Sequence, residues 1–304
     1  MTTSNALHGL TAVVTGAGRG LGREHALLLA AQGARIVVND NGAGPDGVGD
    51  DATPAHQVVA EIQERGGQAV AHLGSVSDWK TSEELIALAV DTFGGLDILI
   101  NNAGILRDRT LANMSEQEWD SVIDVHLKGH FCVLRHAAGY WRSEHKAGRA
   151  RPAAVVNTSS GSGLRGNPGQ ANYAAAKAGI IMLSLVAARE LERYGVRSNA
   201  IAPVARTRLT TATPGLGERI AATGKGGFDT WAPENISPLV AYLASPECRV
   251  SGRVFTVMGG HIGLQQGWLE EQAFDVEGRG WTVDELAEAM KDLPAGPPAF
   301  KMSV

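Results

Sequence analysis

Tyr173 and Lys177 stand four residues apart at the start of an alanine-rich run with helical spacing, YAAAKAGIIM. Such a pair lies on one helix face, one turn apart. An ammonium held beside a phenol favours the phenolate, so the spacing predicts a tyrosine whose pKa moves down from its free value of about 10, ready to give or take a proton. Ser160, thirteen residues upstream and just past the apolar strand pattern of residues 153–156, supplies a hydroxyl suited to holding a substrate oxygen. Tyr-x-x-x-Lys is also a frequent chance pattern and an ordinary surface pair, so its meaning depends on the elements that position it.

Those elements begin with TAVVT at residues 11–15, an apolar strand pattern followed by the turn Gly16, Gly18, Gly20, Gly22 and a helical pattern that closes at Gly33. Glycines let a backbone approach a pyrophosphate, and a helix N-terminus offers unpaired N–H groups and a positive dipole end to it. A second strand pattern, residues 34–39, delivers Asp40, eighteen residues beyond Gly22. An acid there accepts hydrogen bonds from an adenosine ribose and repels a 2′-phosphate, so NAD is expected over NADP. Arg19 opposes that reading, since an arginine in the turn suits the phosphate, and Asp40 is given the greater weight. Residues 41–51, NGAGPDGVGDD, read as a plain surface loop without chemistry. Ser75 and Val76 follow a third strand and should lie beside the adenine; the apolar LDILI of residues 96–100 runs into Asn101, Asn102, Ala103 and Gly104, where the nicotinamide-side ribose should pass.

Further on, Arg107 and Arg109 suit either a substrate phosphate or ion pairs with Asp108 and Glu116. Ser115 and Glu118 open a long apolar helix in which His126 reads as an interior histidine; Thr81 with Glu84, and Thr282 with Glu285, read as capping boxes. A strand pattern over residues 196–201 ends near Pro203, and residues 207–225 resemble a lid.

Seven strands alternate with six helices, which predicts an α/β fold: one Rossmann-type, doubly wound domain, a seven-stranded parallel sheet flanked by helices, over residues 1–262. Residues 263–304 form a C-terminal extension expected to rest on the core or on a neighbouring subunit. With 304 residues, 44% of them hydrophobic, one sizeable core is available. A net charge of −5 without a Lys/Arg run gives no surface for nucleic acid or an anionic membrane. The two cysteines, Cys132 and Cys248, have no CxxC neighbour and read as reduced structural thiols, and no metal site is suggested. The first residues lack a signal-peptide pattern, and a cytoplasmic location is expected.

Taken together, Thr15 to Gly22, Asn101 to Gly104, Ser160, Tyr173 and Lys177 resemble the short-chain dehydrogenase/reductase family over residues 10–260. The resemblance implies dinucleotide contacts at Gly16, Arg19, Gly20, Leu21, Gly22, Asp40, Ser75, Val76, Asn102, Ala103, Gly104, Tyr173, Lys177 and Pro203. It implies catalysis by Ser160 as oxygen holder, Tyr173 as acid/base and Lys177 as partner of both ribose and phenol. His126 stands where the family usually has an asparagine. More narrowly, NNAGILRDR at 101–109, VHLKG at 125–129 and GNPGQANY at 166–173 resemble the (3R)-hydroxyacyl-CoA dehydrogenase domains of the multifunctional enzymes of type 2, as do the histidine, the loop after Asp40 and the extended C-terminus. That implies NAD-dependent oxidation of a hydroxyacyl-CoA, with steroid alcohols and steroid-derived acyl-CoAs as further substrates of the group, by a homodimer or homotetramer. The alternatives are a 17β-hydroxysteroid dehydrogenase and a non-catalytic NAD-binding regulator.

Overall fold

The first strand, β1 (Thr11–Thr15), is buried along its whole length because its side chains serve two cores in alternation. Ala12 and Val14 enter the layer made by α1 (Gly20–Ala31), α2 (Thr53–Glu64) and the helix Ser237–Ala244. Val13 points the other way, toward α3 (Trp79–Phe93), α5 (Gly129–Lys146) and α7 (Ala171–Leu191). Helices on both faces of a sheet are what near-continuous apolar strands require.

The remaining strands are β2 (Arg35–Asp40), β3 (Gln68–Leu73), β4 (Ile98–Asn101), β5 (Ala153–Thr158), β6 (Val196–Pro203), β7 (Val254–Met258) and β8 (His261–Gln265). Their order is β3-β2-β1-β4-β5-β6-β7-β8, in a computed structural model that describes residues 5–211, 220, 227–267, 270 and 272–294. The order reverses between β1 and β4, and the crevice at the C-terminal ends of those two strands is where ligands of such sheets bind.

The structure departs from the sequence pattern at several points. The sheet has eight strands rather than seven, because Gly259, at φ 52°, turns the chain back and β8 pairs antiparallel with β7. HIGLQ leaves Ile262 and Leu264 exposed on this edge, so it has no buried face to give it an alternating pattern. The first compact unit runs from Met1 to Gln265 and so includes β8; Gln266–Val304 forms the second, in which the helix Val283–Ala289 starts at the expected Thr282/Glu285 capping box. Helix α3 begins at Trp79, because the Asp78 carboxylate, rather than Thr81, caps it by accepting from Thr81 N at 2.7 Å. The long helix after Ser115 is not continuous. It consists of α4 (Glu116–Ile123), a π-helical turn over Asp124–Lys128 and α5, and the wide turn carries His126 with its side chain buried. Helix α7 carries an 18-residue stretch with a span-like mean hydropathy of 1.4, yet it packs on the sheet within this unit.

The crevice is held open in shape by one hydroxyl. Thr15 Oγ1 accepts from the backbone N–H of Asn102 at 2.9 Å and of Ala103 at 3.2 Å, so the end of β1 sets the path of the chain leaving β4. Thr15→Val keeps the volume but leaves those donors without a partner, a loss of about 1–3 kcal/mol. Urea unfolding should show a lowered midpoint with an unchanged slope.

Candidate active site

Helix α7 enters the crevice with Tyr173 and Lys177 on its inner face. Lys177 is buried; its Nζ donates to Thr158 O at 2.6 Å and lies 5.5 Å from the Tyr173 ring centroid. Ser159 Oγ returns a bond to Lys177 O at 2.8 Å, so the end of β5 and the second turn of α7 are fastened twice. Ser160 follows and caps the short helix α6 (Gly161–Arg165), accepting from Ser162 N at 3.2 Å, and its hydroxyl is also hydrogen-bonded to Tyr173.

The electrostatics correct the simplest reading of the pair. Burial pushes the Tyr173 phenol up to about 12; its hydrogen bond with Ser160 pulls the other way, and the Asp108 carboxylate adds to the rise. Burial likewise brings Lys177 down to about 7 from its ordinary 10.5. Desolvation therefore outweighs the attraction between ammonium and phenolate in the protein alone, and the expected downward shift of Tyr173 is not what this environment gives. Residual exposure of the Tyr173 ring is toward the cleft, so the phenol is enclosed by protein yet open to a ligand.

His126 joins them. Its ring meets Tyr173 edge-on, with centroids 5.1 Å apart and planes at 88°. Its Nε2 lies 3.0 Å from Ile105 N and 2.8 Å from Ile105 O, while Nδ1 is buried with no partner among the described residues. Burial, reinforced by the charge of Lys177, holds the imidazole well below the usual range and so neutral.

The cleft encloses about 1250 Å³ of space, part of it open to solvent. Of the residues expected at the dinucleotide, Gly16, Arg19, Gly20, Leu21, Asp40, Ser75, Val76, Asn102, Ala103, Gly104, Tyr173, Lys177 and Pro203 line it. Gly22 sits behind the wall, where a Cβ would come within 2.2 Å of Gly16 O; Ser160 is one residue beyond the lining Ser159. The shape suits a dinucleotide. Arg19, the N-cap of α1, makes no side-chain cap bond, which leaves the first N–H groups of that helix to an anion. Gly16, at φ 61°, brings the turn so close to Ala103 that a Cβ would stand 2.7 Å from its Cα.

Residues 41–51 are not the inert loop expected from their composition. Pro45 O accepts from Leu106 N at 2.9 Å, and Asn41, Ala43, Gly44, Pro45 and Gly47 all line the cleft. Of the arginines beyond β4, Arg109 behaves as a loop charge, pairing with Glu118 at 3.0 Å rather than with Glu116, whereas Arg107 has its Nε buried with no partner among the described residues; Asp108 accepts from Gln170 at 2.8 Å. Most of the lid expected over residues 207–225 falls outside the described residues. Among the described residues no group of three or more His, Cys, Asp or Glu is placed to hold a metal ion.

Two positioning groups had no signal of their own in the sequence. Asn172, fully buried, donates to Arg107 O and Glu118 O, both at 3.0 Å, and accepts from Tyr173 N at 2.7 Å, tying the loop after β4 to the start of α7. Gln170 links Ser162, Asn167 and Asp108 beneath Ser160.

Comparison with known proteins agrees with this geometry. The family model described as short chain dehydrogenase matches residues 10–216. The chain is 46% identical over 298 residues, 97% of its own length and 92% of the relative's, to hydroxyacyl-CoA dehydrogenase ChsB1 of Mycobacterium tuberculosis. It is 42% identical over 255 residues to mouse peroxisomal multifunctional enzyme type 2, matching 84% of this chain but only 32% of that longer protein. A crystal structure of a short chain dehydrogenase from Mycobacterium avium superposes with a TM-score of 0.83 at 52% identity, covering 95% of each chain.

Lys177 gives a pH signature. It loses its proton near 7 when folded and near 10.5 when unfolded, so between those values the unfolded chain binds more protons and stability rises with pH. Lys177→Met should flatten the rise in melting temperature between about pH 7 and pH 9.5, measured against the wild type in one buffer series.

Proposed function

Because the chain belongs to the short-chain dehydrogenase family, we propose that it oxidises the hydroxyl of a (3R)-hydroxyacyl-CoA to the 3-oxo thioester with NAD as acceptor. The observation that carries the reading is the convergence of Tyr173, Lys177 and Ser160 at the end of a cleft whose other end is the uncapped N-terminus of α1. The similarity to a hydroxyacyl-CoA dehydrogenase along 97% of the chain supports the substrate class. Asp40, with its carboxylate on the cleft wall, supports NAD.

Each residue has a step. Ser160 donates a hydrogen bond to the substrate oxygen and holds it against Tyr173. As phenolate, Tyr173 takes the hydroxyl proton, so the C–O bond becomes a carbonyl as the carbinol hydrogen leaves with its electron pair. Bound between the Gly16–Gly20 turn, Asp40 and Lys177, NAD would supply the hydride acceptor and a cationic ring whose field favours the phenolate. Protonated Lys177 stabilises the same charge and has donors left for the ribose hydroxyls. His126, being neutral, adds no charge to the phenol; it braces the edge of the ring and fixes Ile105.

A panel of (3R)- and (3S)-3-hydroxyacyl-CoAs and 17β-hydroxysteroids, assayed with NAD by NADH formation, tests the reading. The (3R) thioesters should turn over and their (3S) isomers should not. Preferential turnover of the steroid alcohols would move the substrate to the steroid class, and no NADH from any member would leave a binding protein. Tyr173→Phe should lower kcat/KM by about a hundred- to ten-thousandfold. The rise of kcat/KM with pH should report one apparent value for the coupled Tyr173–Lys177 pair.

We also propose assembly into at least a two-fold dimer. Phe131 on α5 and Met182 and Val186 on α7 are exposed on neighbouring helices, an apolar face suited to an isologous contact. Light scattering at micromolar concentration should give twice the chain mass or more, and a monomer mass would contradict the assembly.

A further inference from the structure

At the adenosine end of the cleft Asp40 is joined by three further charges, Arg19, Asp51 and Arg208. Asp40 Oδ2 accepts from Gly18 N at 2.8 Å and Oδ1 from Gly42 N at 2.7 Å, which fixes the carboxylate and leaves one lone pair of each oxygen for a ribose. Arg19 sits in the turn beside it and lines the same wall. Asp51, at the far end of the loop, divides its carboxylate in the same manner: Oδ1 accepts from Thr53 N at 3.0 Å, and Oδ2 pairs with Arg19 at 3.2 Å. Arg208, also on the wall, lies within the electrostatic range of Arg19 and Asp40 and has no ion-pair partner among the described residues.

The backbone is built to put Asp51 there. Gly42, at φ 76°, packs so closely on Asp51 that a Cβ would stand 2.0 Å from Asp51 O. The ends of the loop therefore touch. Between them Gly44 N donates to Val48 O at 2.7 Å, and Pro45 O is anchored to Leu106, so the loop has a fixed shape. Thr53, the first residue of α2, holds the Asp51 carboxylate from the other side.

We propose that Asp51 is a positioning residue for cofactor choice: by pairing with Arg19 it withholds that cation from a 2′-phosphate and keeps the adenosine end closed to NADP. The proposal rests on the NAD reading and deepens it. With Asp51 in place, two carboxylates balance two guanidiniums, and a phosphate of charge near −2 finds one cation already engaged and Asp40 facing it. Without the Asp51 charge the balance becomes +1, and Arg19 is released at the position where an arginine serves a 2′-phosphate. The Arg19–Asp51 pair is half-exposed, with side-chain exposures of 32% and 53%, so its effect must weaken with salt.

The test is the ratio of dissociation constants for NADH and NADPH, measured by calorimetry on the full chain at low and high salt. Wild type should favour NADH. Asp51→Asn should shift the ratio toward NADPH by about three- to tenfold at low salt and by less at high salt. Arg19→Gln added to Asp51→Asn should remove the gain, and Asp51→Glu should restore the wild-type ratio. Gly42→Ala, which displaces Asp51 through the backbone, should shift the ratio in the same direction as Asp51→Asn. A wild type that favours NADH with Asp51→Asn leaving the ratio unchanged, whether or not both affinities fall together, overturns the proposal alone and makes the pair a loop staple. A wild type that binds NADPH at least as tightly as NADH overturns the NAD reading and the proposal with it.

Discussion

The hydrogen bond from Lys177 Nζ to Thr158 O is the contact on which the rest of the site depends. It lets a lysine be buried beside a sheet end, and that burial has two consequences. The amine is brought down to about 7, near working pH, and helix α7 is pinned to the end of β5 so that Tyr173, one turn earlier, faces Ser160. A longer or freer lysine contact would leave the ammonium solvated and the phenol unplaced. An enclosed site of this kind has a cost in proton affinity: the same low-dielectric setting that sharpens the Lys177 field holds Tyr173 protonated up to about 12. The arrangement is therefore one in which positive charge reaching the phenol has a large effect, because little solvent screens it.

Around that contact the fold works by fastening strand ends to one another. Thr15 fixes the chain leaving β4, Asn172 fixes the loop after it to α7, and Ser159 and Lys177 fix β5 to α7. Each fastening uses a side chain against a backbone group, so the cleft wall is set by main-chain positions that tolerate little change in the anchoring residue. The π-helical turn between α4 and α5 belongs to the same logic. It places His126 over Tyr173 at the expense of helical regularity.

Much of this was legible in the sequence because the signals are local. The Gly16 to Gly22 turn lies between an apolar strand and a helix, Asp40 ends a strand, and Tyr173 and Lys177 share a helix face; each needs only a short window to be read. The crevice position follows from the alternation of strands and helices. What is less legible depends on burial, on distant partners or on competition between neighbouring caps. Asp78 outcompeted Thr81 as a cap because it sits one residue before the helix, where its carboxylate reaches Thr81 N. Strand β8 lacks a buried face and so lacks a pattern. The loop over residues 41–51 reads as flexible from its glycines, yet those glycines allow it to close on itself and to dock on Leu106. The direction of the Tyr173 shift is not legible in the motif, which contains the nearby charge but says nothing of how deeply the pair is buried.

Burial holds Tyr173 protonated until positive charge is brought beside it. Carbon-13 labelling of the tyrosine Cζ, followed by NMR titration of the four tyrosine signals with Tyr173→Phe for assignment, measures this directly. Tyr173 should titrate near 12 in the protein alone, above the ordinary phenol value of about 10, and move down when NAD is added. A Tyr173 signal that titrates at about 10 or below in the protein alone, and does not move with NAD, would contradict this.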